Sequence, residues 1–323
     1  MFDLPFILNF LWMCLKAVIL LAFASVSVMY LIWWERKVSA HIQSRLGPMI
    51  VGWHGALQSI ADALKLLLKE NIVCREADKA TFWLAPVVVF VASFLPFVAI
   101  PFGKNLIAQD LNLGLLYILA VSSLGVIGIF MAGWGSGNKY SLLGGMRTAA
   151  QIISYEIPLV LSILTIVMIS GSLSMNTIVA AQKNVWFIFY QPVAFLIYFI
   201  SAIAETNRAP FDIAEAESEL VAGFHTEYSG MKFAMFFLAE YTNMFVVCAI
   251  AATLFLGGWQ GPFLPGIVWF LLKVYFLIFV MMWIRWTFPR LRVDQLMDFA
   301  WKFLMPLAFL NILITALVMV LRK

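Results

Sequence analysis

The chain has 323 residues, of which 63% are hydrophobic and only 12% charged, with a formal net charge of +4. Soluble domains carry roughly 25% charged residues, so the composition excludes a soluble enzyme and describes a polytopic membrane protein with no room for a separate soluble domain. Cys14, Cys74 and Cys248 are isolated, His41, His54 and His225 are scattered, and neither a P-loop nor a GxGxxG after a strand-like run is present. Iron–sulfur, zinc and nucleotide sites therefore find no support within the chain.

In chain order, the first apolar run covers residues 5–34. Its AFA at 22–24 resembles a signal-peptidase site, but no basic segment precedes it and apolar residues follow, which predicts an uncleaved membrane helix. Further runs occupy 80–102, 112–134, 149–170, 186–204, 231–257, 264–287 and 303–321, each near the roughly 20 residues needed to cross the hydrocarbon core. The expected fold is an all-α integral membrane protein, one polytopic domain over 1–323 with eight transmembrane helices and both termini on the same side. Between the first two spans, ALQSIADALKLLLK at 56–69 puts Leu57, Ile60, Ala61, Leu64, Leu67 and Leu68 on one helical face and Asp62, Lys65 and Lys69 elsewhere. That pattern predicts an amphipathic helix lying along the membrane surface, either simply packed there or forming the lip of an opening for a lipid-soluble ligand. Arg36 and Arg45 flank the turn before it.

Fifteen of the 21 Lys and Arg residues fall in the connections after the first, third, fifth and seventh helices, against four on the opposite side. This positive-inside bias predicts a cytoplasmic location for those connections and an outward location for both termini. One of them, residues 205–230, holds Glu205, Asp212, Glu215, Glu217, Glu219 and Glu227 beside Arg208. Asp212 followed by Glu215 reads as a capping box that opens a short helix, with Gly223 placed to end it and Glu215 and Glu219 on one face. Carboxylates crowded in this way repel, hold protons and pass them on.

Acids also occur inside the predicted spans, at Glu156 and Glu240. At a helix centre each costs roughly 2.5 to 3.5 kcal/mol on insertion scales, so packing alone does not account for them. Either they are neutral carboxyls bonded to a neighbouring helix, with Lys273 as a candidate partner, or they continue a proton relay with Glu205 from the loop into the membrane. Pro86, Pro96, Pro158 and Pro192 fall within predicted helices and predict kinks or breaks.

Four segments carry a family resemblance: WWERKVSAHIQSRLGP at 33–48, LQSIADALKLLLKE at 57–70, NKYSLLGGMRTAAQIISYE at 138–156 and AETNRAPFDIAEAESELVAGFHTEYSGMKFAMFFLAEY at 204–241. They resemble a membrane-subunit family of bacterial NADH:quinone oxidoreductase, the counterpart of mitochondrial subunit 1 of respiratory complex I. The resemblance implies a heel subunit of the inner membrane that binds no redox cofactor itself, with quinone as substrate and FMN and iron–sulfur clusters held by partner subunits. The implied partners are the peripheral-arm quinone-reducing subunits, the small membrane subunits, the antiporter-like subunits and membrane lipid, with no nucleic acid.

Carried over by motif, Arg36, Arg45, Asp62, Lys65 and Arg208 border a quinone route. Asp212, Glu215, Glu217, Glu219 and Glu227 line its chamber side, and Glu156, Glu205 and Glu240 lead inward as a proton relay. The sequence departs from the family pattern GPNRVG, having Met49 and Ile50 in place of the polar pair, and Gly137 stands where Asn is expected. Two other functions fit the residues less well: the related membrane subunit of a hydrogenase-type complex, and a stand-alone ion transporter, against which no inverted repeat is visible.

Overall fold

A computed structural model describes residues 4–104, 106–213 and 220–321, and every described helix, turn and bond below refers to these. Glu215, Glu217 and Glu219 lie outside them, and with them the expected capping box from Asp212 and the short helix it was to open.

The first helix, α1 (Leu4–Ile42), runs two turns beyond the predicted span and so carries Glu35 and Arg36 as helical residues. A turn at Ser44 and a 3₁₀ turn at Trp53–Gly55 lead into α2 (Gln58–Leu68). In α2 the inward positions are Ser59, Asp62, Ala63 and Leu66, while Leu57, Ile60, Leu64, Leu67 and Leu68 are exposed. The apolar face thus points away from the bundle.

Helix α3 (Lys79–Phe94) is capped by Asp78, whose carboxylate accepts from the Ala80 amide, and ends in a 3₁₀ turn around Pro96. The third apolar run divides at Ser123 into α4 (Gly114–Ser122) and α5 (Leu124–Gly135). Helix α6 (Lys139–Ser170) starts ten residues earlier than hydropathy suggests. Asn138 caps it, and Gly171 ends it in the left-handed conformation (φ 68°). Short helices α7 (Met175–Ala181) and α8 (Phe187–Tyr190) precede α9 (Pro192–Glu205). Then come α10 (Gly230–Phe255), α11 (Gly266–Thr287), α12 (Val293–Asp298) and, after a π turn at Phe299–Leu304, α13 (Met305–Leu321).

Among the described residues seven helical segments are long and apolar enough to cross a membrane. The predicted span 186–204 is not one of them, because the helix breaks at Gln191 (φ −132°, ψ 58°). Proline at 192 disfavours the helical conformation at the residue before it, and its ring then suits the first turn of a new helix. What remains is a 14-residue helix, about 21 Å long. It runs antiparallel to α10: Phe195 and Tyr198 meet Phe255, and the Tyr198 hydroxyl donates to the Val247 carbonyl at 2.9 Å.

Helix α10 lies at the centre, with Phe245, Ala249, Ala252, Leu254 and Phe255 almost completely buried. Neighbouring elements approach through small residues. A Cβ on Gly144 of α6 would lie 2.8 Å from backbone atoms of Gly223 and Phe224, and Ser141 of α6 donates to the Phe224 carbonyl at 2.8 Å. These contacts fix the turn carrying His225 against the bundle. Gly137 has φ 64°, and a Cβ there would meet the Glu76 carbonyl at 2.6 Å, so the glycine is required by the backbone here rather than merely tolerated.

Lys273, a candidate partner for Glu156 and Glu240, bonds elsewhere. It lies at the opposite end of the bundle, where its ammonium donates to the carbonyls of Leu256, Gly258 and Gln260 at 2.6, 2.9 and 2.7 Å and stands 4.5 Å from the Trp186 ring centre. A cation collecting carbonyls at a helix C-terminus satisfies groups that the helix leaves unbonded.

Candidate functional site

The end of α9 brings the most charge into the interior. Glu205 closes that helix, Asn207 adopts φ 53°, and the turn places Arg208 against α1 and α10. Gln151 of α6 clamps this turn by donating to the carbonyls of Ala204 (2.8 Å) and Phe211 (2.7 Å). Arg208 is only 4% exposed. Its Nη1 reaches both carboxylate oxygens of Glu35 at 3.1 Å, its Nε lies 2.7 Å from Glu240 Oε1, and its guanidinium stacks over Tyr241 at 4.2 Å. Glu35 also accepts a bond from Arg285 of α11.

Two acids and two arginines therefore interlock across α1, the α9 turn, α10 and α11. Burial opposes the charge on Arg208, but Glu240 and Glu35 more than offset it and raise its pKa above that of an ordinary arginine. The guanidinium is a permanent cation.

A cavity of about 160 Å³ opens on this cluster, lined by Glu35, Arg36, Ser39, Arg208, Glu240 and Arg285 together with Phe237, Tyr241 and Trp286. A second cavity, of about 80 Å³, lies deeper, between α3, α5, α6, α9 and α10. Apolar side chains line most of it, but Glu205, Glu240, Asn243 and His225 supply polar groups. Glu240 and Phe237 line both cavities. A carboxylate with access to two separate spaces is chemically suited to take a proton from one and give it to the other.

Of the expected quinone-route residues, Arg36, Asp62 and Arg208 come together. Arg36 lines the outer cavity and donates to Asp62 at 2.6 Å, and Gln58 donates to the other oxygen of Asp62 at 2.9 Å, tying α2 to α1. Partial burial raises the Asp62 pKa, but these bonds outweigh it and hold it below the ordinary value. Arg45 and Lys65 are exposed and line neither cavity. Met49 is not wholly without a polar contact, since Lys37 Nζ lies 3.0 Å from its sulfur, whereas Ile50 is exposed.

Of the expected relay residues, Glu205 and Glu240 share the inner cavity. Glu156 sits half-buried on α6 between the cavity-lining Ile152 and Leu159. Asp212 interacts with His225, whose pKa burial pushes down to about 4 against the pull of that carboxylate. Glu227 stands apart: it accepts from Cys74 Sγ (2.8 Å) and from Asn138 Nδ2 (2.6 Å), joining the loop before α3 to the cap of α6. Those bonds lower the Glu227 pKa and raise that of the Cys74 thiol. Glu215, Glu217 and Glu219 lie outside the described residues.

Glu35, Arg285, Gln151 and His225 were not among the expected site residues. Glu35 was the most legible of them: it is the one acid in a run of basic residues after the first span, at a position where a continued helix turns it inward. Among the described residues no group of three or more His, Cys, Asp or Glu side chains is disposed to hold a metal ion.

A family model described as NADH dehydrogenase matches residues 15–316. The H subunit of NADH-quinone oxidoreductase from Dehalococcoides mccartyi (strain CBDB1) is 60% identical over 299 residues, covering 93% of this chain and 84% of the relative. The H 1 subunit of the same enzyme from Geobacter sulfurreducens is 51% identical over 345 residues, covering 100% of this chain and 99% of the relative. The H subunit from Carboxydothermus hydrogenoformans is 50% identical over 315 residues, covering 96% and 90% respectively.

Proposed function

The chain belongs to the NADH dehydrogenase family, among the H subunits of NADH-quinone oxidoreductase, and from that membership we propose that it is the membrane heel of a proton-translocating complex I. The observation that carries the mechanism is the position of Glu240, which lines both cavities while bound to Arg208.

In this reading the outer cavity communicates with the chamber where quinone would be reduced, an iron–sulfur cluster held by a partner subunit supplying the electrons. The protons it consumes change the charge at the mouth of the cavity. Glu35 and Glu240 compete for Arg208, so any gain or loss of charge there redistributes the ion pairs. When Glu240 is released from Arg208 its carboxylate takes up a proton from the outer cavity and gives it to the inner one. There Glu205, and behind it Glu156, pass the change toward the antiporter-like subunits. Asp212 and the acids at 215, 217 and 219 feed the relay from the loop, with Glu227 fastening that loop in place. The quinone approaches past α1 and α2, where Arg36 and Asp62 border the route and Arg45 and Lys65 face its outer side.

Residues 1–323 form one membrane domain of a bacterial inner membrane. The α8–α9 pair, broken at Gln191, makes the eighth crossing, and α2 lies on the cytoplasmic surface with the acidic loop. Both termini face outward.

The test is quinone-dependent NADH oxidation by the complex isolated through a tag on this chain. NADH must reduce quinone, and quinone-site inhibitors must block it. Co-isolated partners that oxidise hydrogen instead, with no reaction toward NADH, refute the quinone assignment.

A further inference from the structure

Another buried cation, Lys232, takes no part in the relay. It lies in the first turn of α10 and is only 5% exposed, yet its ammonium has no hydrogen-bond partner among the described residues. Its neighbours are aromatic faces: the Trp83 ring centre at 3.5 Å and the Phe82 ring centre at 4.6 Å. Tyr228 stacks on Phe82 at 4.2 Å and holds that ring in place. The acids adjoining these residues in sequence are engaged elsewhere, Asp78 in capping α3 and Glu227 with Cys74 and Asn138. Cation–π contact offsets part of the cost of burying an ammonium, but buried charges are ordinarily matched by a counter-charge.

The surroundings specify the counter-charge. Trp83 is half exposed, and Lys79, one turn earlier on the same face of α3, is exposed. Along α3 from Trp83, the exposed Leu84, Val87 and Val91 continue as an apolar track. The level of the site is marked independently by α2, whose exposed leucines end beside it: a Cβ on Gly230, at the start of α10, would come within 3.0 Å of the Lys69 carbonyl. Two lysines and an indole above an apolar track match a phosphate on acyl chains, because tryptophan favours the headgroup level and long lysine side chains reach outward to it.

We propose that Lys232, Lys79 and Trp83 seat the phosphate headgroup of an anionic phospholipid at the end of the bundle where α3 and α10 begin, with its acyl chains along Val87 and Val91. The site goes beyond the proposed function and does not depend on it.

The test uses the complete complex, delipidated and reconstituted in phosphatidylcholine nanodiscs with or without phosphatidylglycerol. Spin-labelled forms of the two lipids report how strongly each is held at the protein surface. Lys232→Met must lower the preference for phosphatidylglycerol about fivefold, the effect of one lysine near an anionic lipid surface, and Lys232→Arg must restore it. Lys79→Gln alters an exposed side chain and must lower the same preference, so it decides the matter if the Lys232→Met complex does not assemble. An unchanged preference overturns the proposal. So does loss of a partner chain from the Lys232→Met complex with lipid preference intact, which would assign the ammonium to a protein carboxylate.

Discussion

Replacing Arg208 with methionine removes the cation that Glu35 and Glu240 share. Breaking a buried ion pair by deleting one partner costs about 3 to 5 kcal/mol, because a desolvated charge is left uncompensated. Glu35 keeps Arg285, and the Glu240 side chain is 20% exposed, so the cost falls near the lower end, about 3 kcal/mol. That corresponds to roughly a hundredfold faster loss of the assembled complex at a fixed elevated temperature. The assay follows that half-life by native gel, with quinone reduction measured in parallel. Arg208→Lys must not recover it, because an ammonium lacks the planar fork that meets two carboxylates while stacking on Tyr241. Glu240→Gln supplies the control: it must destabilise the wild-type chain, yet in the R208M background it must recover about 1 to 2 kcal/mol by neutralising the stranded acid. Equal effects of Glu240→Gln in the two backgrounds would refute the coupling, and wild-type stability of R208M would refute the cluster as a whole.

Three further outcomes rest on the packing. Lys273→Met strands the carbonyls of Leu256, Gly258 and Gln260 and is expected to cost about 3 kcal/mol, read as a shortened half-life at elevated temperature, while quinone reduction per assembled complex stays unchanged. Gly144→Ala drives a methyl group into the backbone at Gly223 and Phe224, costing about 1 to 3 kcal/mol and loosening the His225 turn, which hydrogen exchange on residues 220–229 would detect. His225 has a folded pKa of about 4, below the ordinary 6.5, so the unfolded chain takes up the proton first as pH falls. Its stabilising contribution is complete above pH 6.5 and is lost between there and about 4, amounting to about 3 kcal/mol at most, and His225→Asn must flatten that part of the stability profile.

Long apolar runs made most of the helices legible, because a hydrocarbon core imposes a length and excludes charge. Their ends were less legible. Helix α1 continues through Glu35 and Arg36, and α6 begins at Lys139, because charged residues are good helix formers once they leave the hydrocarbon, so hydropathy stops before the helix does. This is why Glu35 was not among the expected site residues. Its partner Arg208 is 173 positions away, and nothing local announces the pairing.

The break at Gln191 was written in the residue before Pro192, but a single proline in a membrane span is compatible with either a kink or a restart. For Lys273 hydropathy identified the helix, and the error was one of depth: the residue lies at the other end of the bundle from the Arg208 cluster, bonded to the carbonyls of Leu256, Gly258 and Gln260. The acids at Glu205 and Glu240 were found because intramembrane carboxylates are costly, and the structure brings them to one cavity. Glu227 belonged to the same acidic segment by sequence, yet its bonds to Cys74 and Asn138 hold it elsewhere, a separation that spacing along the chain does not encode.

If Glu240 passes protons between the two cavities during quinone reduction, its loss must show in the coupling of the complex rather than in its electron transfer. The deciding quantity is the number of protons pumped per NADH oxidised by assembled complex carrying Glu240→Gln, reconstituted in sealed vesicles, with assembly checked by native gel. The predicted result is a complex that still oxidises NADH with quinone but pumps fewer protons per turnover, with Glu240→Asp recovering part of the loss. An unaltered ratio of protons to NADH at full assembly would contradict the relay.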